Sequence, residues 1–438
     1  MDRRDFFAAG SKKSASPVSC MALSKIRKPQ RMSSSPSPIN ASALLTSTRI
    51  LLFALSAGVL VASLYYVQPL TSMLAASFGV GVTQAGYLVT ATQIGYVLGI
   101  VFLVPLSDVL NRRKLLTWML VAKIAALLLA ATSQNIVVFA IASVLMGITA
   151  SALMVVTAMV ASYAPDHSRG RMVGTVMTGL LLGILLARTV SGTVAQISGG
   201  WRTVYVLAAV VVAALLVMLR HILPDEAPRG KLQYGKLMAS LLEIIRQEPL
   251  LRQRALFSGL GLGTFSVFWT GLTFLLSGAP YHYTEMQIGL FGLAGATGAL
   301  AANTAGRMAD RGYARQATWL LAVASIAGWA LIGFGAQSLT LLLIGIVLLD
   351  MGVMGLQVTH QSIIYKLAPQ ARARVTTVFI AAGFIGASAG SALASASFAA
   401  GGWLALCAVG GAMPLLMLLV WSKYRFEQRR LGSAPRAR

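Results

Sequence analysis

Charged residues are scarce in this chain. Asp, Glu, Lys and Arg make up 11% of its 438 residues, against roughly 25% in soluble domains. With 57% hydrophobic residues, a soluble fold could not cover its surface. Runs of about 20 apolar residues recur instead, each long enough to cross the hydrocarbon core of a bilayer. Because only helices and closed barrels satisfy the backbone in lipid, the sequence predicts an all-α polytopic membrane protein.

Acids, cysteines and enzyme motifs are also rare or missing. The formal net charge is +24, but no basic stretch is interleaved with base-stacking aromatics, so no nucleic-acid partner is expected. The two cysteines, Cys20 and Cys407, have neither a disulfide framework nor metal-ligand spacing, so no metal site and no cofactor are predicted. The sequence lacks a Walker loop, a zinc-protease His/Glu pair and a nucleophile elbow. We therefore expect neither enzyme activity nor the use of ATP.

Hydropathy predicts twelve membrane spans in two groups of six, separated by the longest connection. The predicted regions are a disordered cytoplasmic tail (1–44), a six-helix bundle (45–223), a central cytoplasmic loop (224–251), a second six-helix bundle (252–423) and a cytoplasmic tail (424–438). The spans centre near Ala57, Ile94, Ala125, Thr149, Leu182, Val212, Val267, Ala296, Ile326, Val353, Gly386 and Met413.

Positive charge alternates between successive loops. Lys and Arg collect after the even-numbered spans, whereas the loops 68–83 and 335–340 contain none. Arg202, at the start of span 6, is the nearest exception. By the positive-inside rule, both termini are predicted to be cytoplasmic.

The two groups of spans repeat the same landmarks at an offset of about 200 residues. Asp108 corresponds to Asp310, and the pair 200–201 corresponds to the pair 402–403, Gly-Trp in both. An even number of spans per repeat keeps the repeats parallel, related by an axis along the membrane normal. Two pseudo-symmetric halves of this kind can rock around a shared central site.

A charge cluster lies in the short loop after span 2, and a similar one lies after span 8. An Asp at a helix end beside cations can bond a neighbouring helix N-terminus and the Arg of another loop. If that contact exists in one conformation only, it acts as a gate latch. The alternative is a topology signal with a tight turn. The candidate gating residues are Asp108, Arg112, Arg113, Gly306, Asp310 and Arg311.

These loops resemble the signature loop of the major facilitator superfamily, Gly-x-x-x-Asp-Arg/Lys-x-Gly-Arg/Lys-Arg/Lys. In the second copy, Gly312 comes one residue early. The first copy has Val104, Val109 and Asn111 where Gly, Arg/Lys and Gly are usual, and Asn is the best substitute for Gly at a positive φ. The stretches YYVQPL (65–70), GILLARTVSG (183–192) and LAPQARARVTT (367–377) further resemble the drug:proton antiporter and sugar-efflux branch.

One position departs from that branch. Its drug:proton antiporters usually carry an Arg early in span 4, where this chain has Ser143 before Gly147. Another ionisable residue would then have to couple proton movement. An ionisable residue inside a membrane helix is costly, so function is the default hypothesis.

Asp350 and Arg188 are the candidates for proton coupling. Asp350 lies about midway through span 10, and its removal from water would let it load and release a proton. The alternative is a structural pair. Arg188 could neutralise Asp350 or hold an anionic group of the substrate. Lys123 in span 3 is a weaker candidate that could instead snorkel or pair, and His360 fits a packing role better than a pH switch.

Polar residues on the spans that the resemblance places around the cavity are candidates for substrate binding. They are Tyr65, Gln68, Gln93, Gln357 and Gln361. Gln357 and Gln361 continue a polar stripe from Asp350 at helical spacing. Tyr65 could equally be an interfacial anchor. The glycine rows of spans 8 and 11 predict close helix packing.

The resemblance implies a secondary-active transporter of the bacterial inner membrane, with protons, a small-molecule substrate and the lipid bilayer as partners, working as a monomer. Proton-driven efflux of a drug-like or sugar-like solute is the leading hypothesis. Proton-coupled uptake stays open because the span-4 arginine is missing. A membrane sensor on a transporter fold is the remaining alternative.

Overall fold

The computed structural model describes residues 46–165, 168–223, 234–295, 304–308, 311–367 and 372–432. The chain divides into two units, Met1–Asn40 and Ala41–Arg438. The first unit lies outside the described residues, together with the rest of the predicted tail 1–44. All of the described helices belong to the second unit.

The first half contains the helices of spans 1 to 6. Span 1 is broken into two helices around residues 63–66, span 4 is broken at Ser151, and span 2 ends in a short π-helical and a short 3₁₀ segment. The helices run over Ser47–Ala62, Val67–Phe78, Val82–Leu98, Arg112–Thr132, Ile136–Ala150, Ala152–Tyr163, Arg169–Ser198 and Trp201–Ile222.

The second half contains spans 7 to 12, and a helix precedes it in the central connection. Its helices run over Tyr234–Gln247, Pro249–Ser277, Glu285–Leu290, Ala314–Gly333, Leu339–Leu367 and Arg372–Gly432, with short 3₁₀ segments at Phe291–Gly295 and Phe334–Ala336. The predicted loop 224–251 thus contains a helix, and span 7 begins within its predicted end. The last helix continues to Gly432, so part of the predicted tail 424–438 is helical.

Ten helices within the described residues are long and apolar enough to cross a membrane. The last of them, Arg374–Lys423, comprises spans 11 and 12, which the non-helical backbone at Gly401 and Gly402 separates into two helices. Gly402 has a φ of 64°, which a residue without Cβ adopts at little cost. Span 8 is described over its first residues and over 304–308. The helices confirm the predicted all-helical polytopic fold.

Glycines let helices cross closely at corresponding places in the two halves. A Cβ built on Gly183 of span 5 would lie 2.4 Å from the Gly58 Cα of span 1. A Cβ built on Gly386 of span 11 would lie 2.0 Å from the Gly259 carbonyl oxygen of span 7. Spans 1 and 5 of the first half therefore pack as spans 7 and 11 of the second do, which agrees with the internal repeat.

The loop after span 2 is held within the first half. Arg112 lies 3.7 Å from Asp108, and its guanidinium also donates to the Ser107 carbonyl at 3.1 Å and to the Ser162 hydroxyl of span 4 at 2.9 Å. The expectation that Asn111 replaces glycine at a positive φ is wrong. Asn111 has a φ of −61°, and its side chain caps span 3 by accepting the Lys114 amide at 3.0 Å.

The second copy of this loop is described only in part. Gly306 and Arg311 are within the described residues, whereas Asp310 lies outside them. Gly312 has a φ of 88°. The two copies thus differ in backbone: the second uses a glycine at positive φ, and the first uses an asparagine cap.

Candidate functional site

Arg188 of span 5 is buried at the contact between the two halves. Its guanidinium lies over the Tyr65 ring of span 1, 4.7 Å from the ring centroid, and over the Trp269 ring of span 7, 4.1 Å from the centroid. Its Nε donates to the Gln68 side-chain oxygen of span 1 at 2.6 Å. Stacking on aromatic faces together with a directed hydrogen bond suits the planar guanidinium. Predicted site residues of the first half therefore meet an aromatic residue of the second.

Trp269 connects Arg188 to Asp350. The Trp269 Nε1 donates to the Asp350 carboxylate of span 10 at 3.3 Å, while the face of the same indole carries the guanidinium. Asp350 is 2% exposed and Arg188 is 3% exposed. The two predicted proton-coupling residues are thus brought together around one ring.

Arg188 and Asp350 do not form a direct ion pair within the part of the chain that the structure describes. Their charges still interact, since opposite charges in a medium of low dielectric constant attract over more than contact distance. A buried charge without a contact partner is expensive. This arrangement leaves the carboxyl group free to change its protonation state without first breaking a salt bridge.

Span 8 closes the site with glycines. A Cβ built on Gly295 would lie 2.8 Å from the Asp350 Oδ2, and one built on Gly292 would lie 3.3 Å from the Arg188 Cβ. Gly289 approaches the Arg188 carbonyl, and its own carbonyl accepts the Thr189 hydroxyl at 2.9 Å. The predicted close packing of span 8 is therefore packing against the two charged residues themselves.

Two hydrogen-bond donors at the site have no acceptor among the residues that the structure describes. They are the Arg188 Nη2 and the Gln68 Nε2, and both are buried. Nε and Nη2 form one edge of a guanidinium, and Gln68 already accepts from the Arg188 Nε with its oxygen. Both unpaired donors thus belong to the hydrogen-bonded pair of Arg188 and Gln68.

A second polar cluster joins the halves around Gln93. The Gln93 amide of span 2 donates to the Ser266 hydroxyl of span 7 at 2.7 Å and accepts from the Ser391 hydroxyl of span 11 at 3.0 Å. Ser391 also lies 2.8 Å from the Thr90 hydroxyl. Gln93 is therefore a contact between the halves, and a change in their relative position would have to break its bonds.

Gln357 and Gln361 lie away from this site. Gln357 accepts from the Ser258 hydroxyl at 3.0 Å and donates to the Ser258 carbonyl at 3.3 Å, so it pairs span 10 with span 7 inside one half. Gln361 is one helical turn further along and is partly exposed. His360 is buried, and its Nδ1 lies 3.2 Å from the Arg254 Nη1.

The halves also meet at the end of the bundle away from the basic loops. The Ser72 hydroxyl of span 1 donates to the Glu285 carboxylate of span 8 at 3.4 Å, and the Thr273 hydroxyl of span 7 donates to the Gln68 carbonyl at 2.8 Å. A Cβ built on Gly192 of span 5 would lie 2.2 Å from the Glu285 carbonyl oxygen. These contacts cover the site from that end.

The sequence pattern did not predict the contacts that Trp269 and the span-8 glycines make with the two charged residues. The position of Trp269 could have indicated its role. Trp residues of membrane proteins are enriched at the membrane interface, whereas Trp269 lies within span 7, near Phe265 and Phe268. Gly295 carried no such signal, since a glycine row predicts close packing but not the identity of the partner. In the described ranges no group of His, Cys, Asp and Glu could hold a metal ion.

Comparisons with known proteins agree with this architecture. The Major Facilitator Superfamily profile matches residues 51–370 and 281–438. A putative uncharacterized transporter of Escherichia coli, YgaY, is 40% identical over 377 residues, which are 86% of this chain and 95% of that protein. A probable sugar efflux transporter of Helicobacter pylori is 24% identical over 86% of this chain and 94% of its own length.

A solved structure shares the fold at lower sequence identity. The crystal structure of the human organic anion transporter MFSD10 matches with a TM-score of 0.64 and 19% identity, over 86% of this chain and 99% of that one. At this identity the likeness concerns the fold alone. Together with the family match and the relative of 40% identity, it leads to one conclusion: the chain belongs to the Major Facilitator Superfamily and is a multi-pass membrane transporter without enzyme activity.

Proposed function

We propose that this protein exports a small organic solute by exchanging it for protons, through alternating access of its two halves. The observation that carries this proposal is the arrangement of Arg188 and Asp350 around Trp269. The arginine belongs to the first half, and the acid and the indole belong to the second. A movement of one half relative to the other must therefore change the surroundings of both charges.

Asp350 is the proposed proton carrier. When it is ionised, the Trp269 N–H and the nearby Arg188 stabilise its charge. When it is protonated, that attraction is lost and the contact between the halves is weakened. A ligand shifts an equilibrium between two conformations only by its different affinity for each, and the proton on Asp350 would supply that difference.

The proposed solute contacts are Arg188, Gln68 and Tyr65. The free Arg188 Nη2 and Gln68 Nε2 would donate to a hydroxyl, carbonyl or ether oxygen of the solute. A solute that also donates a hydrogen bond to Asp350 would favour the ionised carboxylate and release the proton. Solute and proton would then exclude each other, as exchange requires. Gln93 would contact the solute only after the halves separate, since it now bonds both halves. Gln357, which pairs with Ser258 inside the second half, and Gln361 would contact the solute from span 10.

The basic loops are the proposed gate on the cytoplasmic side. Asp108, Arg112 and Arg113 of the first loop and Gly306, Asp310 and Arg311 of the second would change contacts as the halves rock. In the described conformation Arg112 binds within its own half, and Arg113 donates to the Arg220 carbonyl at the end of span 6 at 2.7 Å. The proposal places the protein in the bacterial inner membrane as a monomer, with both termini cytoplasmic.

The test uses inside-out membrane vesicles with an acidic interior and a pH-sensitive dye. Ethidium, D-xylose and benzoate would be added in turn as a drug, a sugar and an organic anion. We expect one of them to release protons from vesicles with the wild-type protein and not from vesicles with Asp350→Asn. Glu243→Gln is the matched control, because it removes the same charge from an exposed residue of the connecting helix. Proton release that is equal in wild type and Asp350→Asn would contradict the proposal.

Proton-coupled uptake is the second candidate function. Ser143 occupies the place of the span-4 arginine that the antiporter branch usually has, and its buried hydroxyl has no partner in the described part of the chain. Uptake would appear in vesicles of native orientation as solute-dependent alkalinisation of the medium. Solute accumulation in those vesicles, without any proton release in the inverted ones, would favour uptake over export.

A further inference from the structure

Span 1 is interrupted at residues 63–66, a segment that includes Tyr65 and is followed by Gln68, both of which contact Arg188. Its first helix ends at Ala62 and its second begins at Val67. Between them, the amides of Leu64 and Tyr65 bond carbonyls three residues back, at 3.0 Å each, in place of the four-residue step of an α-helix. Inside a membrane such an interruption is tolerated when other groups satisfy the freed backbone.

Lys123 of span 3 supplies the donor at this interruption. Its Nζ donates to the Leu60 carbonyl at 3.3 Å and to the Ser63 hydroxyl at 2.6 Å. The lysine is 0% exposed and forms no ion pair with any acid among the residues the structure describes. A desolvated ammonium without a counter-charge is costly, so its hydrogen bonds to span 1 are the contacts that offset this cost.

The contact is directed and does not arise from general packing of span 3. Span 3 packs chiefly against spans 4 and 6, and only the long lysine side chain brings a charged donor to the break in span 1. Tyr65 and Gln68 of span 1 contact Arg188; Tyr65 lies within the break, two residues after Ser63, and Gln68 lies in the first turn of the helix that follows. The conformation of the break therefore decides whether these two side chains reach the arginine.

We propose that Lys123 is a positioning residue that fixes the break in span 1 so that Tyr65 and Gln68 meet Arg188. Lys123 itself touches neither the proposed solute contacts nor Asp350. The functional part of this inference rests on the proposed role of Arg188 and Gln68 in transport. The structural part, that Lys123 holds the break, stands independently of any transport reaction.

The first experiment measures amide hydrogen exchange in the purified full-length protein. Lys123→Met keeps a long apolar side chain and removes the donor. We expect exchange in residues 60–68 to rise by about tenfold, as for the loss of one charged hydrogen bond, with residues 115–122 of span 3 unchanged. Ser63→Ala should produce a smaller increase in the same segment. Unchanged exchange at 60–68 in both variants would overturn the proposal, and Ser63→Ala decides the matter if Lys123→Met does not fold.

The second experiment places Lys123→Met in the wild-type and Gln68→Ala proteins. Proton release is measured in vesicles with whichever of ethidium, D-xylose and benzoate is active, per amount of folded protein. If Lys123 is a positioning residue, Lys123→Met alone should raise the half-saturating solute concentration by about tenfold. In the Gln68→Ala protein, the same substitution should raise that concentration little further. A positioning role would be refuted if Lys123→Met raised the half-saturating concentration by the same factor in the wild-type and Gln68→Ala proteins. It would also be refuted if the substitution lowered the amount of folded protein but left transport per folded molecule unchanged.

The two experiments separate this inference from the proposed function. If none of the three solutes is active, the export proposal fails while hydrogen exchange still tests the role of Lys123 at the break. If a solute is active and Lys123→Met changes neither exchange nor transport, only the positioning role fails. Lys236→Met, in the connecting helix, is the matched control for loss of a lysine charge.

Discussion

Two of the buried cations, Arg188 and Lys123, have partners of different kinds in the fold. Arg188 lies where the halves meet, among aromatic rings from both and beside the Gln68 amide of the first, with Asp350 at the N–H edge of Trp269. Lys123 lies inside the first half and binds only a backbone carbonyl and a hydroxyl. The first cation has partners that a movement of the halves would separate, whereas the second has partners that move with it.

This difference distinguishes residues that sense the conformation from residues that maintain one half as a rigid body. Contacts between the halves include Arg188 with Trp269 and Gln93 with Ser266. Contacts within a half include Arg112 with Ser162, and Gly259 with Gly386. We expect substitutions of the first kind to change transport at nearly constant stability, and most substitutions of the second kind to change stability first.

The largest effect is expected for Asp350→Asn. The amide keeps the shape of the side chain and can still accept from Trp269, but it cannot bind or release a proton near neutral pH. Solute-dependent proton release should fall to the level of vesicles without the protein. The melting temperature should stay within a few degrees of wild type, because removing a buried charge does not create a cavity. A large fall in melting temperature would place Asp350 among the residues that maintain the half.

Arg188→Lys should have the next largest effect. A lysine retains the charge but cannot stack a planar fork on Trp269 while donating to Gln68. We expect the half-saturating solute concentration to rise by about tenfold or more, which corresponds to at least about 1.4 kcal/mol. If the variant instead transports like the wild type, the site needs only the positive charge and not the planar contact across the halves.

Gly386→Ala tests a contact that lies within one half. The new methyl group would meet the Gly259 carbonyl at the crossing of spans 7 and 11. Overpacking of this kind costs about 1–3 kcal/mol, which should appear as a lower melting temperature in detergent. Transport per folded molecule should be little changed. Gly333→Ala is the control, since a Cβ there would meet nothing within 4 Å.

Asn111→Ala should have the smallest effect. It removes the side-chain cap of span 3 and should cost about 1 kcal/mol of stability. Asn111→Gly should cost only a few tenths of a kcal/mol, because glycine is also a tolerated N-cap. If Asn111 were needed at a positive φ, glycine would instead be stabilising. Chemical denaturation of the two variants side by side measures the difference.

Much of the fold could be predicted from the sequence, because the signals are local. Apolar runs of membrane length predict the spans one at a time, and the turn between spans 11 and 12 coincides with the repeated Gly-Trp landmark at Gly402. The helix Tyr234–Gln247 was missed because the connection was judged by its charges, and the same stretch also carries regularly spaced apolar residues such as Leu237, Leu241 and Ile244.

The candidate site could be predicted only in part. Asp350, Arg188, Gln68 and Tyr65 were found because an ionisable or polar residue in an apolar span is conspicuous. Gln357 was assigned to the same group by helical spacing, but spacing along one helix cannot show which neighbour a side chain meets, and Gln357 pairs with Ser258. Trp269 and Gly295 were missed for the same reason, since their roles depend on residues of other spans.

The sequence by itself determined the membrane class, the succession of helices and the division into two similar halves, because hydropathy, helix ends and repeats are properties of consecutive residues. Only the tertiary structure decided that Arg188 and Asp350 share one indole ring, and that Lys123 reaches the break in span 1. These contacts join residues 60 or more positions apart in the chain. These contacts form only when whole helices cross at the right place and angle. Close packing at glycines controls that crossing, and no pattern of neighbouring residues specifies it.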